Sequence, residues 1–247
     1  MPTEPPTYDQ ATACHPNQQQ AAIGPQTLIL EGFKIYTAED HTVTLYELSS
    51  SPREAIANSY NIYKTRYRLA AADGEGDITS RQDHIYQFQE KSTFSLRRAR
   101  PKVVITGHCS KQRTYKEVIL SGRSSGWTSC RSEGHFSAAT PTIRLFQNSK
   151  HITWKNASGE IVGYEPFIKK GSEEPSRLIV EAILDAKDLD LLVACWMARL
   201  WKESKAWAYK QLPSADCKLK NFTSISHRQR NTAKLGGFVG TSGTVFA

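Results

Sequence analysis

A chain of 247 residues is long enough for one large domain or two small ones. Its 39% hydrophobic content supports a core, and its net charge of +8 favours acidic partners: anionic lipid headgroups, nucleic acid or acidic peptides. The five cysteines (Cys14, Cys109, Cys130, Cys195, Cys217) are odd in number and form no Cys-x-x-Cys pair, which argues against a disulfide framework and for a reduced, cytoplasmic compartment. No basic segment followed by an apolar run opens the chain, so a signal peptide is not expected and the sequons at Asn156 and Asn221 are chance matches.

Residues 1–26 are rich in Pro, Gln, Thr and Ala and offer no packable face, which predicts a disordered arm. Within it, Pro5-Pro6-Thr7-Tyr8 fits the Pro-Pro-x-Tyr pattern of WW-domain ligands. Two prolines preset a polyproline II backbone, and an aromatic groove receives the ring and the tyrosine.

From Thr27 the character changes to strands. Thr27–Leu30 and Phe33–Tyr36 form one strand or two with an irregularity at Gly32, and Thr42–Leu48 alternates at period two. Tyr60–Leu69 places Tyr60, Ile62, Lys64, Arg66 and Arg68 on one face. Ala70–Thr79, with Gly74 and Gly76, is predicted as a loop. Further strands are expected at His84–Phe88, Phe94–Arg98, Lys102–Thr106, Tyr115–Leu120, Trp127–Arg131, Thr142–Phe146, His151–Lys155, Glu160–Tyr164 and Ser176–Leu184. Asn156-Ala157-Ser158-Gly159 supplies a hairpin turn.

A helix over 188–207 follows, with Asp185 or Asp188 as its cap. From Leu191 to Trp201 it is apolar nearly all round, Arg199 being the main exception. Such a helix is buried on most sides, and it is shorter than the about 20 apolar residues a bilayer needs. The fold class expected is therefore mainly β with one central helix: a closed antiparallel barrel of about 10–12 strands around a hydrophobic C-terminal helix. The barrel domain is assigned to residues 27–209, and residues 210–247 to a flexible basic tail.

Candidate chemistry is sparse. Gly122-Arg123-Ser124-Ser125-Gly126 matches the Gly-x-Ser-x-Gly elbow of serine hydrolases, but strand-like sequence follows where the elbow needs a helix, so a hairpin turn is expected. His108, Cys109, Cys130 and His135 invite a zinc reading, yet adjacent residues on a strand end point to opposite faces, and no metal site is assigned. The basic residues carry more. Arg98, Arg100 and Lys102 share one extended face, as do Arg66 and Arg68, and arginine forks suit phosphate geometry.

The strand series, the turn before Glu160-Ile161-Val162-Gly163-Tyr164, and the strand Leu178-Ile179-Val180 leading to Leu189-Asp190-Leu191-Leu192-Val193 carry a resemblance. The chain resembles the Tubby C-terminal-like fold, the group that includes Tubby, the LURP-one-related proteins and the phospholipid scramblases. The resemblance covers about Thr27 to Trp207, and a Pro-Pro-x-Tyr arm before such a domain is similar to the scramblase arrangement. It implies phosphoinositide binding through a basic surface, although no local motif carries a ligand residue across. A basic Gly/Ser-rich tail stands where scramblases have a membrane-inserting helix, and no acidic calcium-ligand run is present, so scramblase activity is not expected.

The function expected is a non-enzymatic binding or adaptor module, cytoplasmic and peripheral at the membrane, without cofactor. Arg66, Arg68, Arg98, Arg100 and Lys102 are the candidate ligands of an anionic headgroup, and Pro5, Pro6 and Tyr8 those of a WW-domain partner. Nucleic acid is disfavoured, because few aromatics interleave with the basic clusters.

Overall fold

Alternating apolar side chains make each strand one-sided, and in the computed structural model those sides close on themselves. Residues 23–54, 57–69, 78–90, 102–123, 126–140, 151–168 and 174–211 are described. Twelve strands run in order: β1 (Gln26–Glu31), β2 (Lys34–Thr37), β3 (Thr44–Leu48), β4 (Ser59–Leu69), β5 (Ile78–Glu90), β6 (Lys102–Gly107), β7 (Glu117–Arg123), β8 (Gly126–Ser132), β9 (Ser137–Ala139), β10 (His151–Lys155), β11 (Ile161–Pro166) and β12 (Ser176–Val180). Each pairs antiparallel with the next, and β12 returns to β1 through Leu28↔Leu178 and Leu30↔Ser176. Closure removes the exposed edges that an open sheet would offer to aggregation. A two-way backbone bridge between Ile23 and Leu184 (2.8 and 3.1 Å) extends the seam, so barrel pairing begins at Ile23.

One helix, α1 (Ala186–Gln211), fills the interior. Every residue from Leu189 to Lys202 is buried, which is what an all-round apolar sequence requires. Fully burying one large aliphatic side chain is worth about 1.5–3 kcal/mol, and this helix buries Leu189, Leu191, Leu192, Val193, Met197 and Leu200. Asp185 is the cap: its Oδ1 accepts the Asp188 N–H at 2.6 Å. Asp188 instead accepts from the Tyr115 hydroxyl at 2.7 Å. Helix α1 therefore begins and ends outside the expected 188–207.

Several local expectations hold. Gly32 takes φ 60° in a tight β1–β2 hairpin, giving two strands. The β10–β11 turn is built by Asn156, whose Oδ1 accepts the Glu160 N–H at 2.9 Å, with Gly159 at φ 87°. The predicted loop Ala70–Thr79 is too long at its C-terminal end. Strand β5 already starts at Ile78 and pairs with β4 out to Leu69↔Ile78, so these strands form a long hairpin. The short strand β9 was not expected. The expected strands Phe94–Arg98 and Thr142–Phe146 lie outside the described residues.

Candidate functional site: an arginine-lined cleft at the barrel rim

A β-bulge sets up the site. Ile62 faces Tyr86 and Tyr63 faces His84, so Ile85 is an extra residue on β5, and both Ile85 and Tyr86 are buried. A bulge reverses which residues of a strand face inward. Above it Tyr86 and Phe88 line the core. Below it Asp83 falls opposite Lys64, and Arg81 opposite Arg66. Four charged side chains thus share one side of the β4–β5 hairpin, at the end of the barrel where α1 begins.

Each of them has a defined partner. Lys64 Nζ lies 2.7 Å from Asp190 Oδ1 on α1, and the same oxygen accepts from the Tyr46 hydroxyl at 2.6 Å. Burial raises the Asp190 carboxyl, while Lys64 beside it pulls the other way. Asp83 gathers three arginines: Arg66 Nε at 2.8 Å, Arg81 Nε at 2.9 Å and Arg113 Nη1 at 3.7 Å. Three guanidiniums against one carboxylate leave two positive charges unmatched within the cluster. The carboxylate is covered, at 9% exposure, whereas Arg81 and Arg113 are 73% and 54% exposed.

The pairing of β5 with β6 ends at Tyr86↔Gly107. Beyond that point the chain leaves β6 and turns through Ser110 to Thr114, opening a cleft of about 320 Å³ beside Arg81, Gln82, Asp83 and His84. Cys109, Ser110 and Arg113 form its other wall. The His84 ring stacks on His108 with centroids 4.0 Å apart and planes 18° apart, and Tyr63 tilts against its side at 5.1 Å. Burial, and then the neighbouring His108, lower the His84 pKa below the ordinary histidine value. The Cys109 thiol donates to the His84 carbonyl at 3.3 Å, and burial pushes its pKa up. The turn is fastened to the helix start, because Lys187 Nζ donates to the Lys111 carbonyl at 2.8 Å and sits 4.0 Å over the Tyr115 ring.

The structure divides the expected basic face. Arg66 joins the cluster around Asp83, beside the residues that line the cleft. Arg68 lies two residues further along β4, in register with Thr79. Lys102 opens β6 opposite Ser121, next to the Glu90↔Val103 pair. From Arg81 to Glu90 is about 30 Å of strand at about 3.3 Å per residue, so Lys102 and Arg66 occupy opposite rims and form no common surface. Arg98 and Arg100 lie outside the described residues, as do Pro5, Pro6 and Tyr8. Arg81, Arg113 and Asp83 were not expected at all. Arg113 stands in a turn without a strand pattern, and Arg81 stands between the predicted loop Ala70–Thr79 and the expected strand His84–Phe88.

The other candidate motifs separate. Gly122 and Arg123 end β7 and Gly126 opens β8, so that segment joins two strands rather than a strand and a helix. His108 stacks on His84, Cys130 is buried in the core, and His135 meets the Tyr115 ring edge-on at 4.3 Å. Among the described residues no group of three or more metal-ligating side chains converges. A second depression of about 340 Å³ lies on the barrel wall at His151, Tyr164, Pro166, Ile179 and Glu181. Among the described residues no helix is long and apolar enough to cross a membrane. Comparison with models of protein families, with characterised proteins and with solved structures finds no match to this chain.

Proposed function

We propose that this protein is a non-enzymatic binding module that holds an anionic membrane headgroup, of the phosphoinositide class, in the rim cleft. The observation that carries the proposal is the set of three guanidiniums around one covered carboxylate, two of them more than half exposed beside an open cleft. Arginine forks match phosphate oxygens two at a time. Asp83 orients the arginines from beneath, and the two unmatched charges suit a phosphate monoester, which carries about −1.5 to −2 at neutral pH. The net charge of +8 adds general attraction, at about 1 kcal/mol for each Lys or Arg close to an anionic surface.

The test is sedimentation of the full chain with vesicles containing a phosphoinositide, against phosphatidylserine vesicles of equal charge. Wild type should prefer the phosphoinositide. The R81E/R113E variant should lose that preference while its thermal melt stays close to wild type, since both side chains are exposed. An unchanged preference in the folded variant would overturn the proposal. An adaptor role through Pro5, Pro6 and Tyr8 is a second proposal, resting on that motif alone. Tyr8→Ala should abolish capture by an isolated WW domain, and retained capture would end the idea.

A further inference from the structure

The headgroup reading uses the arginines and leaves one hydroxyl of the cleft wall without a task. Ser110 lines the cleft together with Arg81, Asp83 and Arg113. It opens the turn after β6, where its carbonyl accepts the Arg113 N–H at 2.9 Å and the Thr114 N–H at 3.0 Å. One tight turn thus holds both Ser110 and Arg113, and Arg113 Nη1 reaches to 3.7 Å from Asp83 Oδ2. Ser110, Lys111, Gln112 and Arg113 are all exposed, so the hydroxyl is open to an approaching enzyme. Lys111, Arg113 and Lys116 make the stretch basic, which suits a kinase with an acidic substrate groove. The turn is fastened by other groups: the Thr114 hydroxyl donates to the Cys109 carbonyl at 3.1 Å, and Lys187 Nζ to the Lys111 carbonyl at 2.8 Å.

We infer that Ser110 is a phosphorylation site that closes the cleft: a kinase transfers the γ-phosphoryl group of ATP to Ser110 Oγ, and the attached phosphate takes Arg81 and Arg113 away from the headgroup. The Oγ–P bond forms, the bond from the γ-phosphorus to its bridging oxygen breaks, ADP leaves, and the hydroxyl proton passes to the base of the kinase. The inference rests on the anion-binding reading above and adds its regulation. The charges match. A phosphate monoester carries about −1.5 to −2 at neutral pH and three acceptor oxygens. Three guanidiniums around the one Asp83 carboxylate leave two positive charges to receive it. Because the phosphate is tethered one side chain from the cleft, it competes at an effective concentration of about millimolar order or above. A headgroup arriving from a vesicle then meets a neutralised site.

The experiment uses the full chain with phosphoserine encoded at Ser110. A second preparation carries the phosphate on Ser158 instead, in the exposed β10–β11 turn of the same rim, outside the cleft. Two readouts separate seating from competition. In a phosphorus NMR titration, the phosphate on Ser110 should lose its second proton well below the ordinary value of about 6, because the guanidiniums favour the dianion. Arg81→Gln/Arg113→Gln should restore the ordinary value. In sedimentation, the unmodified chain should prefer phosphoinositide vesicles over phosphatidylserine vesicles of equal charge. Phosphate on Ser110 should abolish that preference, and phosphate on Ser158 should leave it. An ordinary titration at Ser110, or equal loss from both positions, would overturn the inference and leave the headgroup reading standing. An unmodified chain without the preference would overturn the headgroup reading, and the titration would still decide whether the cleft seats the phosphate. Peptide mapping of the protein from its own cells should find phosphate on Ser110 in the soluble fraction and not in the membrane fraction. Ser110 unmodified in both fractions would overturn its assignment as a modification site.

Discussion

Arg199 is 1% exposed near the middle of α1, and its two terminal nitrogens reach Glu165 on β11 and Glu203 one helical turn on (2.7 Å). Arg199→Met keeps most of the aliphatic stem and removes the charge. Glu203 is 41% exposed and turns to solvent, but Glu165 is left as a buried carboxylate without its cation. Breaking a buried pair in this way costs about 3–5 kcal/mol. At about 2–4 °C per kcal/mol for a domain of this size, the melting temperature should fall by about 6–20 °C. A signature separates this cause from lost packing. Burial already raises the Glu165 pKa, and the Arg199 guanidinium opposes that rise. In the variant the opposition is gone, so the folded-state pKa climbs further above the unfolded value of 4.5. A raised folded pKa leaves stability intact below the unfolded value and withdraws it as pH rises through the folded one. The deficit of Arg199→Met relative to wild type should thus be small near pH 4.5 and largest near pH 8. Urea denaturation across that range measures it. The double variant Glu165→Met/Arg199→Met should recover most of the loss, since an apolar pair of similar volume is often neutral or better. A loss below about 1 kcal/mol, a loss that is flat with pH, or a double variant as weak as the sum of the singles would refute the argument.

Two further outcomes follow from the barrel wall. Gly163 on β11 has the Ile179 carbonyl of β12 where a Cβ would stand, so Gly163→Ala should force the two strands apart and cost about 1–3 kcal/mol in chemical denaturation; an unchanged midpoint would mean the strands separate freely. Burial lowers the pKa of both His84 and His135. A depressed folded pKa means stability is complete above the unfolded value of 6.5 and declines as pH falls from there through the folded value. Wild-type unfolding free energy should drop between about pH 7 and about pH 5, and His84→Gln/His135→Gln should flatten that limb.

How much of this was legible in the sequence depended on whether the core spoke for the residue. Tyr46, Leu48, Tyr60 and Ile62 alternate because the helix lies behind them, and a period-two pattern finds such strands. The helix announced its own burial by having no polar face. Pattern failed at the rim. Thr79-Ser80-Arg81-Gln82-Asp83 is polar on both faces, because below the bulge the hairpin runs past the end of the core and has nothing apolar to alternate against. The bulge is equally silent, since His84, Tyr86 and Phe88 alternate convincingly across Ile85, whose extra place shows only in the pairing with Ile62 and Tyr63. Lys64 and Arg66 were correctly put on one face, but which way that face looked was not decidable from β4 alone. It looks toward Asp190 and Asp83, carboxylates 126 and 17 positions away in the chain. Arg113 gave no local signal, because it reaches the cleft only after β6 and β7 have closed around the helix.

The buried polar contacts explain why the cleft has a definite shape. A smooth apolar helix in an apolar cylinder packs almost equally well over small rotations and slides, because dispersion and burial are weakly directional. Asp190 and Arg199 are nine residues apart, close to half a turn around an ideal helix axis at about 3.6 residues per turn. They reach different sectors of the wall, Asp190 toward β3 and β4 and Arg199 toward β11. Lys202 and Lys205 reach Glu90 on β5 at the far rim, at 2.7 and 2.8 Å. Contacts at separate heights and separate azimuths fix rotation and depth together, since any slide that keeps one breaks another and leaves a charge buried alone. Depth then sets the rim. The first turn of α1 holds Tyr115 through Asp188 and Lys111 through Lys187, and the turn between those two residues carries Arg113 into the cleft. The polar residues inside the barrel therefore act on the site at its mouth, through the one element that both share.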